Sequence, residues 1–355
     1  MLTEKEYSEI REHLESSQNP VFFFDNDVDG LVSFLLLRRF IGRGKGVAIK
    51  SFPELDEQYT RKIEEFNADK VFILDKPLVS KGFLEYAHQH NIPVIWIDHH
   101  PPQNPSGEGV YYFNPLNTKP RSTDYVPKLG NTIPPTSYIC WKTVKQDEWL
   151  AMIGCVADQY IPEFSEEFAK QYPDVLERVG SPEEALFESD LGRLVSILSH
   201  GLKDTTTNVM KMIHGLVEVK GPYEILVPDK RFDTVMSRYE ELNKIHKKLL
   251  KKALGQDSSG KIILFKYSSP MAMSRGLSNE LFYLNKGKKI VLVAHVVGDK
   301  VKISLTGPKD KDLRVAVAKA LEVMPGHGGG HPQACGASVN ESDFEKFREI
   351  IESYA

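Results

Sequence analysis

The chain has 355 residues, 41% of them apolar and 26% charged, a composition that supports a substantial core and excludes a lone peptide module or wholesale disorder. At ~150 residues per domain, the length predicts two domains. A net charge of −4 hides an asymmetry: residues 1–200 hold 20 Lys+Arg against 31 Asp+Glu, and residues 201–355 hold 25 against 18.

An acidic half concentrates cations and a basic half holds an anionic substrate, although an uneven solvated surface produces the same split. Cys140, Cys155 and Cys335 are widely spaced and odd in number, so they supply neither a disulfide framework nor a paired-thiolate zinc site. A reducing, cytoplasmic location is expected. No apolar run approaches the ~20 residues of a membrane span, and the acidic start lacks the layout of a signal peptide.

In chain order, Thr3 and Glu6 form a capping box ahead of a polar helix that ends near Ser16 and Ser17. Residues 21–24 are a continuous apolar strand stopped by acidic residues and Gly30, and 31–41 read as a buried helix. The order repeats, with strands at 47–52, 71–74 and 92–97 and helices at 59–66 and 81–90. Such alternation predicts a parallel sheet flanked by helices. Residues 162–190 are rich in Glu and aromatics, and Ser181-Pro182-Glu183-Glu184 is a strong helix start, so an acidic helical appendage is expected there. An amphipathic helix at 232–254, with Leu242, Ile245, Leu249 and Ala253 near one face, anchors a connector over 201–257. Its Lys244, Lys247, Lys248, Lys251 and Lys252 suit either phosphates or plain solvation. Residues 258–355 resume the alternation as a smaller α/β domain, with strands at 262–265, 290–297 and 301–305 and a helix at 278–284.

What terminates the strands carries the chemistry. Asp25, Asp75 and Asp98 each follow an apolar strand, and in open α/β sheets ligands bind beyond the carboxyl ends of the strands. Asp25, Asp27 and Asp29 alternate, so several oxygens can face one cavity, and Gly30 permits a tight entry into the helix. A calcium loop also alternates acids, but the glutamate at its twelfth position is missing here. Asp98-His99-His100 pairs two imidazoles with a carboxylate able to orient them, and Asp158 closes the apolar run 150–157.

These residues resemble the four ordered motifs of the DHH phosphoesterases, the superfamily of RecJ nucleases, short-oligonucleotide hydrolases and family II inorganic pyrophosphatases. The run 328–337, Gly-Gly-Gly-His-Pro-Gln-Ala-Cys-Gly-Ala, looks like the glycine-rich signature of the DHHA1 substrate-binding domain. The resemblance implies a DHH catalytic domain over 1–200, the helical connector, and a DHHA1 domain over 258–355. It makes Asp27, Asp29, Asp75, His99 and Asp158 ligands of two divalent metals, with Asp75 bridging. Asp25, in the all-Asp form found in RecJ, completes the first site or stands behind it. His100 then contacts the reacting phosphate and Asp98 orients the histidine pair. Hard oxygens with one imidazole suit manganese, with magnesium a weaker substitute, and two metals roughly 3.5 to 4 Å apart serve in-line displacement at phosphorus.

Gly328, Gly329 and Gly330 are read as a loop whose amides approach a phosphate or sugar, with His331 donating a hydrogen bond. Arg275 and Ser304 are weaker candidates for the same strand. Thr306 stands where relatives often carry Arg shortly after the serine, and Phe282 and Tyr283 suit base stacking or core packing. The implied function is a manganese-dependent exonuclease on single-stranded DNA or RNA that releases 5′-nucleotides in repair or replication. Similarity to compact archaeal RecJ-like proteins implies 3′ to 5′ cleavage and a repair helicase or replication protein as partner. A phosphodiesterase of short oligoribonucleotides or cyclic dinucleotides, and a noncatalytic scaffold, remain open alternatives.

Overall fold

Four consecutive apolar residues at 21–24 can be buried together only if both faces of their strand are covered. The computed structural model describes residues 1–51, 54–103, 105, 107–117, 133–256 and 258–355, and in it Phe22 and Phe24 enter one hydrophobic core while Val21 and Phe23 enter another. Helix α1 (Glu4–Ser16), capped by the Thr3/Glu6 box, leads into β1 (Pro20–Asp25), α2 (Val28–Ile41), β2 (Lys45–Ile49), α3 (Thr60–Glu65), β3 (Lys70–Leu74), α4 (Lys81–Gln89), β4 (Val94–Ile97) and β5 (Val110–Phe113). The five strands are parallel, in the order β2-β1-β3-β4-β5. The expected strand over 47–52 is β2, two residues earlier at its start; its last position, Phe52, lies outside the described residues.

Helices α5 (Thr136–Val144), α6 (Glu148–Ala157), α7 (Ser165–Gln171), α8 (Pro182–Glu188), α9 (Asp190–Gly201), α10 (Thr206–Glu218) and α11 (Tyr223–Leu226) follow. They complete the core on the α2 side of the sheet. Residues 162–190, expected as an appendage, bury Phe164, Phe168, Val175, Leu176 and Ala185 in that core. Their glutamates occupy the outer faces of two seven-residue helices, too short for periodicity to reveal the inner face. Residues 201–232, expected in a connector, likewise contribute Leu202, Val209, Met212, Ile213, Leu216 and Phe232.

Helix α12 (Asp233–Leu254) spans the division between two units, one ending at Tyr239 and the other starting at Glu240 among the described residues. The second unit holds β6 (Ile263–Tyr267), α13 (Ser274–Leu284), β7 (Val291–Val297), β8 (Lys300–Thr306), α14 (Leu313–Leu321), β9 (Gly326–His331), β10 (Ala334–Asn340) and α15 (Phe344–Tyr354). Its sheet runs β6-β7-β8-β10-β9, parallel at the first pair and antiparallel at the rest. One face packs on α12 and α13 through Leu242, Leu249, Leu277 and Leu281, and the other on α14 and α15 through Ala316, Val317, Phe344 and Phe347. Among the described residues, no helix is long and apolar enough to cross a membrane.

Candidate metal centre

The parallel sheet reverses its winding at β1: the chain steps outward to β2, then returns to lay β3 on the other side. The crevice above such a switch point is where open α/β sheets bind ligands. β1 ends at Asp25, Asp75 follows β3, and Asp98 follows β4, so the acids rise from neighbouring strands at one sheet edge. The turn after β1 is tight. A Cβ on Gly30 would stand 2.5 Å from the carbonyl oxygen and 2.8 Å from the nitrogen of Asp25, so only glycine lets α2 start directly over the strand exit. Asp27 caps α2, accepting from the Gly30 N–H at 3.1 Å.

Asp29, in the first turn of α2, is 2% exposed. Its two oxygens accept the N–H groups of Thr136 and Ser137, each at 2.9 Å. These amides open α5, where a helix leaves N–H groups without intrahelical partners. Burial above all, then the charges of Asp158 and Asp27, pushes the Asp29 carboxyl up to about 7 despite the Ser137 bonds. Asp75, directly after β3, has a left-handed φ of 59°. Its Oδ1 accepts the Thr136 hydroxyl at 3.0 Å. Burial first, then Asp29, Asp27, Asp158 and Asp25, raise it well above the carboxylate range. Crowded anions at a dry site repel one another, and a cation relieves that repulsion.

His99 supplies the nitrogen. It is 3% exposed, and its Nε2 lies 3.4 Å from Asp75 Oδ1 and 3.6 Å from Asp158 Oδ2, the latter at the C-cap of α6. Ligand atoms of Asp29, Asp75 and His99 all fall within 4.8 Å of one another. Hard carboxylate oxygens with one imidazole fit a divalent cation of the manganese or magnesium kind. Asp98 is fully buried and accepts from His100 Nδ1 at 2.8 Å, the His100 N–H at 3.2 Å, Tyr112 Oη at 3.4 Å and Asn114 Nδ2 at 3.3 Å. Burial opposes the Asp98 charge, but the His100 hydrogen bond and the charges of both histidines outweigh it and hold the carboxyl low. The same pairing raises His100 against its own burial.

Asp25 stands apart from that set. Its Oδ1 accepts from Lys76 Nζ at 2.9 Å, and Lys76 is buried with its ammonium also 3.2 Å from the Ser51 carbonyl. Burial and Asp27 raise the Asp25 carboxyl, with Lys76 pulling against them.

In the second unit the glycine run is not a loop. It forms edge strand β9, paired antiparallel with β10, because the turn at Pro332 and Gln333 folds the chain back on itself. Cross-strand partners share a sheet face, so register sorts the glycines. Gly328, opposite Ala337, lies on the α14 side, where a Cβ would meet the Gly336 carbonyl at 2.7 Å and Val317 Cγ1 at 3.0 Å. Gly330 has φ +142° and its Cβ would lie 2.4 Å from the Ala334 carbonyl. Gly329 faces the other way, in a row with Gly336 and Ser304, and a Cβ there would meet nothing within 4 Å. His331, two residues on, shares its side with Gly329. Arg275 is exposed in the first turn of α13. Thr306, at the end of β8, is buried and bonds Ser278 Oγ and Asn279 Oδ1 at 3.0 and 2.8 Å. Phe282 packs beside the α13 core.

Family models match twice: the DHH family, N-terminal domain, over residues 21–130, and the DHHA1 domain over 260–355. The chain belongs to the DHH/DHHA1 superfamily. No curated protein matches it. Among solved structures it is similar to RecJ from Thermus thermophilus in complex with Mn2+, at TM-score 0.65 and 16% identity, covering 99% of this chain and 54% of that one. It thus spans about half the length of that RecJ. An exonuclease RecJ bound to manganese aligns at TM-score 0.62 and 16% identity, over 99% of this chain and 95% of that one. CDC45 from Entamoeba histolytica aligns at 0.50 and 14%, over 99% and 98%.

Within this DHH domain, sequence reasoning passed over four residues. Thr136 touches both Asp29 and Asp75, and the Pro134-Pro135 pair before it marked a helix start. Asn114 bonds Asp98 and the His100 carbonyl, the latter at 2.9 Å, and Tyr112 joins it at 2.9 Å. Lys76 follows Asp75 directly, a cation in an otherwise apolar neighbourhood.

Proposed function

We propose that this DHH/DHHA1 protein is a manganese-dependent exonuclease that hydrolyses phosphodiester bonds of single-stranded DNA or RNA and releases 5′-nucleotides. The observation that carries the reading is the convergence of Asp29, Asp75 and His99, with Asp158 beside them, at the switch point of the DHH sheet. Asp27, Asp29, Asp75, His99 and Asp158 would hold two divalent ions, with manganese preferred and magnesium a substitute. Such ions neutralise the phosphodiester, activate water and stabilise the leaving oxygen.

The protein's own groups do the rest. Thr136 and the first amides of α5 fix the buried carboxylates of Asp29 and Asp75, so part of the donor set is organised before any ligand arrives. Asp98 holds His100 by Nδ1 and favours its protonated form, in which the ring would donate to a phosphate oxygen. In the DHHA1 domain, Gly329 leaves room beside Ser304 for a sugar-phosphate chain, and His331 and Arg275 supply donors for it. The motif resemblance to compact archaeal RecJ-like proteins makes 3′ to 5′ the direction we propose, with a repair or replication protein as partner and the cytoplasm as location.

The test is digestion of end-labelled single-stranded DNA and RNA with Mn2+, resolving product length over time, with a dinucleotide in parallel. Stepwise shortening of the long strands is expected. Equal or faster cleavage of the dinucleotide would place the activity with short-oligonucleotide phosphodiesterases, and intact substrates throughout would leave a scaffold.

A further inference from the structure

The acids at the sheet edge are not equivalent. Asp29 accepts from two backbone amides and Asp75 from a threonine hydroxyl, with the His99 ring 3.4 Å from the same Asp75 oxygen. Each keeps spare lone pairs for a cation. Asp25 receives an ammonium. Lys76 Nζ lies 2.9 Å from Asp25 Oδ1 and its side chain is 3% exposed. The lysine is clamped at both ends, since Trp96 Nε1 donates to its backbone carbonyl at 2.8 Å and the Ser51 carbonyl accepts from Nζ at 3.2 Å. A buried ammonium is costly unless an anion answers it, so pulling Asp25 toward a metal would leave Lys76 charged and unpaired.

Building on the proposed metal centre, we propose that Lys76 is the resident counter-cation of Asp25. It withdraws that carboxylate from metal ligation and supplies, beside Asp75, a fixed positive charge in the place of part of the metal charge. Lys76 is therefore a positioning residue: it acts through Asp25 on how many ions the centre takes and how tightly.

Mn2+ binding to the full chain, counted by electron paramagnetic resonance of the free ion and by calorimetry, separates the possibilities without reference to activity. Asp25→Asn keeps an acceptor for Lys76 but leaves its charge uncompensated, so it is expected to retain the wild-type number of Mn2+ ions while binding them more weakly, by up to about tenfold. Lys76→Met sets the Asp25 charge free and is expected to bind one further ion, or the same number about tenfold more tightly. Lys76→Arg should match wild type. If Asp25→Asn loses an ion, Asp25 is a ligand and the inference is wrong. Unchanged binding by folded Lys76→Met also overturns it. Should wild type itself bind no Mn2+ while remaining folded, the metal centre falls, and this inference with it.

Discussion

Alanine in place of Gly328 and of Gly329 separates packing from recognition within one motif. At 328 the new methyl would sit 2.7 Å from the Gly336 carbonyl, 3.0 Å from Ala337 Cβ and 3.0 Å from Val317 Cγ1. Two of these atoms belong to the paired strand and the third to α14, so relief requires moving the helix or opening the edge of the sheet. Overpacking of this kind costs about 1–3 kcal/mol, and in a domain of ~100 residues each kcal/mol lowers Tm by about 4–8 °C. At 329 the methyl meets nothing within 4 Å. Replacing glycine there leaves stability unchanged or raises it by about 0.4–1 kcal/mol, through the smaller entropy of the unfolded chain. The same methyl stands in the row with Ser304 where a bound strand would pass, so affinity for a single strand should fall by about tenfold, or ~1.4 kcal/mol. Calorimetric melting with fluorescence anisotropy of a labelled single-stranded oligonucleotide reads both effects. If Gly329→Ala melts as low as Gly328→Ala, the register argument is wrong; if it melts normally and binds strands as wild type does, this face does not hold the substrate.

Asp98→Asn should lose about 1.5–3 kcal/mol, because the buried charge-assisted bond to His100 is replaced by an amide facing several donors. Urea unfolding with a wild-type midpoint would contradict this. Because the Asp98 carboxyl is held low, its contribution in the wild type is intact above the ordinary carboxylate range and is lost as pH falls through its depressed value. Asp29 titrates near 7, so metal-free protein keeps a proton there that the unfolded chain has already released, and its stability should fall as pH rises from about 4 to 7. Mn2+ must displace that proton, so affinity measured by calorimetry should rise across the same range and release protons to the buffer; pH-independent binding would refute the assignment. Mn2+ at a hundred times its Kd should stabilise the DHH unit by about 2.7 kcal/mol, an increment that Asp75→Asn abolishes in thermal unfolding.

The parallel sheet was legible because 21–24, 71–74 and 94–97 are apolar throughout and each stops at an acid. The strands are buried on both faces, so the runs are continuous. The convergence of Asp29, Asp75 and His99, with Asp158 beside them, was legible from the order of the motifs. The pairing of Asp25 with Lys76 was not legible, because Lys76 lies 51 residues away and reaches it only once β1 and β3 pair. Asn114 and Tyr112 were hidden for the same reason, since β5 brings them to Asp98 from beyond a long loop. The glycine run read as a loop since glycine weakens strands in general, whereas here β10 supplies the ladder and α14 demands a bare position at 328. Nothing in local composition distinguishes Gly328 from Gly329; only the register does.

The most direct test of the metal centre is a crystal grown or soaked with Mn2+ and measured at the manganese absorption edge. Anomalous peaks within about 2.5 Å of Asp75 and His99 side-chain atoms, with Asp29 and Asp158 in the coordination sphere, are the expected result. Peaks elsewhere, or none in a crystal where the carboxylates stay as they are without metal, would contradict a hydrolytic centre built on these residues.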